Sequence, residues 1–160
     1  MENARGMDAS GSYGAVLNKA LETSKAVVIV VSGSMMCGTS SYQYAIALEA
    51  TSGKRLDLNS IYNIGVRQDD HVFLRPELAD SATESYRQAN ANNKSCFEGT
   101  GWQDGLTNFP ITFSTQSDAG IALYYATPDV SAACFPTLKV SQRNVAPYRD
   151  AKRAAEYALP

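Results

Sequence analysis

The sequence predicts an α+β fold: an antiparallel β-sheet of about five to six strands with helices packed on one face. Three observations predict it. A β-branched run at 26–36 is followed at 41–49 by strict alternation, the pattern of a half-buried antiparallel strand. "FPITFST" and "GIALYYAT" are strand-like and joined by "QSDAG", with Asp118 and Gly120 as turn residues, which reads as a hairpin. Between them, residues 76–91 carry an apolar stripe of helical period. Strands and helices that cluster rather than alternate indicate α+β.

The elements are justified in order. "MENARGMDAS" has neither an apolar signal core nor a cleavage site. Residues 1–10 therefore read as a disordered leader, and 11–160 as a single domain. A signal or anchor segment is expected to be absent from this chain. Residues 12–24 are expected to form a short helix, with Val16, Leu17, Ala20 and Leu21 on one side. The run at 26–36 suits a central strand. Along 41–49, Tyr42, Tyr44, Ile46 and Leu48 face one way, and Gln43, Ala45, Ala47 and Glu49 the other. The even set is expected to be buried against the helix at 76–91. "TSGK" then reverses the chain, with Gly53 where positive φ is needed. Pro76 suits a first helical turn. Leu74, Leu78, Ala82 and Tyr86 follow at spacings of four, opposite Glu77, Asp80, Glu84 and Arg87. "ANANNKSCFEGTGWQDG" reads as a loop from its Asn and Gly content. "TLKVS" at 137–141 is one more strand, and 146–158 a closing helix started by Pro147.

Composition bounds the function. At 160 residues and 44 % hydrophobic, the chain buries a real core without metal or several disulfides. A net charge of -2 with scattered Lys and Arg argues against a nucleic-acid footprint. The longest apolar run, "AVVIVV", is far short of the roughly 20 residues of a membrane span, so no membrane insertion is expected.

The chemistry-bearing residues are few. The only histidine, His71, lies in "RQDDHVF", which reads as a polar loop. A Cys37–His71 dyad is the enzyme alternative, a small cysteine-dependent hydrolase. No helix N-terminus follows Cys37 to lower its pKa, and the chain is expected not to be an enzyme. Zinc needs closely paired Cys or His, calcium a dense alternating acidic array, and neither is present, so no metal or other cofactor is expected. "SGSMMCGTSS" lacks the Lys-Ser/Thr pair and following helix of a phosphate loop. "NKS" at 93–95 is formally a glycosylation acceptor, and the triplet is common by chance. Cys96 and Cys134 each lie beside flexible segments free to approach, so a disulfide between them is expected, leaving Cys37 unpaired.

The order of segments resembles a known family. A strand ending in Cys-Gly, then "EATSGKRLDLNSIYN", a helix, and "GIALYYATPDVSAACFPTLKVSQRNVAPY" is similar to the RsiV-like domain, found at the end of RsiV anti-sigma factors and PdaC-type deacetylases. The matching positions are Gly53, Lys54, Leu56, Leu58, Ile61, Gly120, Ile121, Val140 and Tyr148, within residues 26–150. Many members follow Cys-Gly with Gly-Ala-His-Pro, where this chain reads "CGTSSY". Neither anti-sigma activity nor deacetylation carries over. The resemblance implies a periplasmic or otherwise extracytoplasmic bacterial domain at the cell envelope, in some members one that binds lysozyme.

The resulting expectation is a non-enzymatic envelope binding module, recognising a lysozyme-like or cell-wall-associated protein. A purely structural domain of a larger envelope protein is the other alternative. The contacts are placed in two strand-joining segments of small residues: Cys37, Gly38, Thr39, Ser40 and Ser41, and Thr127, Pro128, Asp129, Val130 and Ser131, running on to Ala133.

Overall fold

A computed structural model describes residues 14–35 and 40–160. The chain is α+β, but its strands form two antiparallel sheets rather than one sheet of five to six strands. The first holds β1 (Gly14–Glu22), β2 (Ala26–Met35) and β3 (Ser40–Glu49), with β2 central. The second holds β4 (Gly65–Gln68), β5 (His71–Leu74), β6 (Ile111–Thr115), β7 (Ile121–Tyr125) and β8 (Leu138–Val140), in that order.

The segment expected as a helix at 12–24 is strand β1. Its apolar spacing was too short to outweigh tertiary pairing. β2 offers a long free edge, and β1 occupies it from Gly14↔Ser34 to Glu22↔Val27, with a register shift between Lys19 and Leu21. The polar turn between them is held by Thr23, whose hydroxyl accepts from the Ala26 N–H at 3.0 Å.

β3 pairs with β2 along its whole length. The buried face of β3 is the small, odd-numbered one: Ala45 and Ala47 are buried, while Tyr44 is 40 % exposed. This reverses the expectation that the even-numbered residues pack against the helix. β3 packs against β6 and β7, and at sheet-on-sheet contact small side chains admit the close approach. Gly53 does take positive φ, at 71°. Its turn returns the chain so that the Leu56 N–H donates to the Ala47 carbonyl at 2.9 Å.

After the short helix α1 (Asn59–Tyr62), β4 and β5 form a hairpin that escaped the sequence reading. Each strand is only four residues, too brief for alternation to register, and the turn is made by Asp69 at φ 54°. His71 therefore sits on a strand, not in a loop. Pro76–Leu78 makes a 3-10 turn leading into α2 (Ala79–Ala89), which buries Leu78, Ala82 and Tyr86 as the spacing predicts.

The stretch expected as a loop at 89–105 contains a 3-10 turn at Lys94–Phe97 and the start of α3 (Gly101–Asn108). One of its glycines marks close packing: a Cβ on Gly105 would lie 2.7 Å from the Phe109 ring and 3.1 Å from Phe135, whereas Gly99 and Gly101 have open space around them. Trp102 of α3 stacks on Tyr86 at 4.6 Å, with Phe135 edge-on to Tyr86 at 5.2 Å. Beside this cluster Cys96 and Cys134 stand at disulfide distance, their Cα atoms 5.5 Å apart.

After a short α4 (Asp129–Ala132) come α5 (Gln142–Val145) and α6 (Ala151–Glu156), so the closing helix expected over 146–158 is confined to α6 and is not started by Pro147. Pro147 lies in the break between them, and Asp150 starts α6 by accepting from the Arg153 N–H at 3.1 Å. Every residue of β7 is buried. Ala122 and Tyr124 face Val30 and Ala45 of the first sheet; Ile121, Leu123 and Tyr125 face the main core with Ile111 and Phe113. The second sheet is thus a middle layer, with the first sheet on one side and α2 and α3 on the other.

Candidate functional site

Two adjoining cavities open where the first sheet meets the second. Both lie along β3, an edge strand, and the second also lies beside the place where β5 joins β6 at a single residue pair, Val72↔Ile111. The first cavity, of about 800 Å³, lies between the start of β3 and the segment after β7. One wall is Ser32, Gly33, Ser41, Tyr42 and Tyr44; the other is Tyr124, Ala126, Thr127, Ala132, Phe135 and Pro136. Among the described residues that line it, none is charged. Tyr42 and Tyr44 project from one face of β3 with ring centroids 6.1 Å apart. Tyr42 lies over its paired neighbour Gly33, where an added Cβ would come within 2.6 Å of the hydroxyl.

The second cavity, of about 550 Å³, continues along β3 and shares Gln43, Tyr44, Tyr124 and Ala126 with the first. Its character is different. Arg55, Asp57, Arg67, Asp70 and His71 line it beside Ile46, Val72 and Phe113. Arg67 donates to Asp57 at 3.0 Å across the mouth, both groups about half exposed, so the pair contributes little to stability. His71 is exposed and contacts Phe73 edge-on.

The residues named from the sequence fall as follows. Ser41 and Thr127 line the same cavity. Ser40 begins β3. Pro128 precedes α4, which carries Asp129, Val130 and Ser131, and the Ser131 N–H donates back to the Pro128 carbonyl at 2.9 Å. Val130 stands in solvent, 94 % exposed. Cys37, Gly38 and Thr39 lie outside the described residues, and with them the Cys37–His71 pairing. From the sequence, Tyr42, Tyr44 and Gln43 are expected only as the two faces of a strand, the tyrosines on its buried side, and not as site residues. The alternation Ser-Tyr-Gln-Tyr at the start of a strand was the available signal, because a polar strand face beside an aromatic one marks an uncovered sheet.

Tyr125 is held protonated: burial pushes its phenol far above the ordinary range, and the hydroxyl is spent on the Leu106 carbonyl at 2.7 Å. Tyr124 shares a hydrogen bond with Ser114 at 2.9 Å. Among the described residues no group of three or more His, Cys, Asp or Glu is placed to hold a metal ion. No described helix is long and apolar enough to cross a membrane. Compared with known proteins, the chain matches no family model and none of the curated proteins searched.

Proposed function

We propose that this chain is a non-enzymatic binding module of the bacterial envelope whose ligand is a protein, lysozyme-like or associated with the cell wall. One observation carries the reading. Ser41 and Thr127, from two segments far apart in sequence, line one tyrosine-rich cavity in which none of the described lining residues is charged. Tyrosine and serine around small residues suit protein recognition, since the rings supply area at low entropic cost and the hydroxyls adapt their hydrogen bonds. The cysteine pair at disulfide distance accords with an oxidising compartment. The resemblance to the RsiV-like domain points to the same place and to lysozyme as the first partner to try. A net charge of -2 gives a basic partner only weak steering, so contact in the groove has to supply the affinity.

Titration calorimetry with purified lysozyme, followed by capture from envelope extract, tests the proposal. Ser41→Arg and Thr127→Arg each place an unpaired charge in the groove and should weaken binding at least tenfold. Binding that is equal in both variants would move the site elsewhere. Failure of any envelope protein to bind would leave a structural domain as the reading.

A further inference from the structure

We propose that the free edge of β3 is a docking edge for an extended, uncharged polypeptide segment, which joins the first sheet as a fourth strand. The proposal rests on the binding-module reading and gives it a mode. Along β3, the residues that turn their main-chain groups away from β2 are identified by their bonds. The Glu49 N–H donates to the Lys54 carbonyl and the Ala47 carbonyl accepts from Leu56, both at 2.9 Å. The Ala45 N–H donates to the Thr112 hydroxyl at 2.8 Å. Main-chain direction alternates along a strand, so Gln43 and Ser41 point to the same side. There the main-chain covering by the described residues stops, although the Thr137 hydroxyl donates to the Gln43 side-chain carbonyl at 3.0 Å and α4 lies against β3. Residues 54–56 cap the edge at Ala47 and Glu49, a side chain substitutes at Ala45, and among the described residues no main-chain group pairs with Gln43 on that side.

This open stretch lies in the furrow where the two cavities meet, since Gln43 and Tyr44 line both. Among the described residues the outer edge of β1 is also unpaired, but it is exposed over Gly14–Lys19, interrupted by a register shift, and carries the Lys19–Glu22 ion pair, the usual protection of a strand edge. The β3 edge has walls. An added strand would direct alternate side chains toward Tyr44 on one side and toward Tyr124 and Thr127 on the other. Among the described residues the lining offers no counter-ion to a charged side chain at the Ser41 end, which favours an occupant uncharged there. Main-chain bonds would supply affinity, and the tyrosine walls would select side chains.

The test uses the whole chain and a displayed library of uncharged heptapeptides, the best binder being resynthesised with N-methyl groups at alternate amides. Strand addition predicts that methylation of one alternate set weakens binding tenfold or more, while methylation of the other set leaves it unchanged. Gln43→Pro removes an edge N–H without touching the ladder to β2, and should weaken the same peptide tenfold while lowering the melting profile by no more than loss of the exposed Thr137–Gln43 hydrogen bond explains. If that variant fails to fold, the methylation pattern on the wild-type chain still decides. No heptapeptide binding below 1 mM, as an order-of-magnitude limit, or indifference to which amides are methylated, would overturn the proposal. So would a wild-type dimer in sedimentation that Gln43→Pro dissolves, since the edge would then belong to a second copy. Lysozyme binding lost in Ser41→Arg and Thr127→Arg but kept in Gln43→Pro would preserve the module and reject strand addition.

Discussion

Asn90 is among the few buried polar residues, and its position explains how the groove wall is held. Its side-chain amide donates to the Tyr86 carbonyl at 3.0 Å and to the Cys134 carbonyl at 2.9 Å. It therefore ties the end of α2 to the segment carrying α4, beside the Cys96–Cys134 pair. These two links cross-brace a stretch with little regular structure of its own. The pair closes a loop with a sequence separation of 38. In the chain-entropy model a loop of that length is worth about 4 kcal/mol. Replacing both cysteines by Ala should lower the unfolding free energy by about that amount, read from urea melts. Thiol counting on protein never exposed to reductant should find fewer than three reactive groups. Three thiols would contradict the pairing. This link was legible in the sequence because both cysteines flank segments without strong periodicity, which leaves them free to meet.

At the scale of elements, β3 shows how strict alternation fixes a strand but not which face it buries. Tyr42, Tyr44, Ile46 and Leu48 looked like the core face on hydrophobicity alone. The opposite face, Ala45 and Ala47, is the one the second sheet covers, because two sheets pack closely where side chains are small. The consequence is a testable inversion. Ala47→Asp places an unpaired carboxylate in the core, where Ala47 is 5 % exposed, and should cost several kcal/mol. Ile46→Asp falls on the half-buried outer face and should cost clearly less, on the order of 1–2 kcal/mol. Equal losses in parallel thermal melts would mean that both faces are covered. The same limit accounts for the other misread elements. β1 gains its identity from a partner edge, and α3 from Gly105 packing against Phe109 and Phe135; neither is encoded in local composition. α2 and the β6–β7 hairpin were legible because each is long enough for its period to be counted. The candidate groove was legible only in outline. Ser41 and Thr127 were named as loop residues, but their meeting depends on the split into two sheets, and no short-range pattern reports that.

The molecule as a whole is tied together by three buried phenols that donate to carbonyls of other elements. Tyr62 of α1 reaches Pro160 at 2.8 Å, Tyr86 of α2 reaches Cys96 at 2.6 Å, and Tyr125 of β7 reaches Leu106 of α3 at 2.7 Å. Burial raises the pKa of all three above the ordinary 10.0; at Tyr62 the nearby Arg149 opposes the shift without reversing it. A phenol with a higher pKa in the folded chain than in the unfolded one holds its proton more tightly when folded. Its contribution is whole below about pH 10 and is lost as the unfolded chain ionises first. Stability should therefore fall with rising pH above about 10, each such tyrosine adding a slope of up to about 1.4 kcal/mol per pH unit. Tyr125→Phe loses a hydrogen bond and should be less stable at neutral pH by about 1 kcal/mol. Its alkaline slope, however, should be shallower than that of the wild type by up to one proton's worth, a change that lost packing alone does not produce. Urea midpoints measured between pH 8 and 11 on the two proteins would read both effects. Wild-type midpoints that stay flat up to pH 11 would mean that these hydroxyls ionise as readily in the folded chain as in the unfolded one, and that the three ties are not closed in solution.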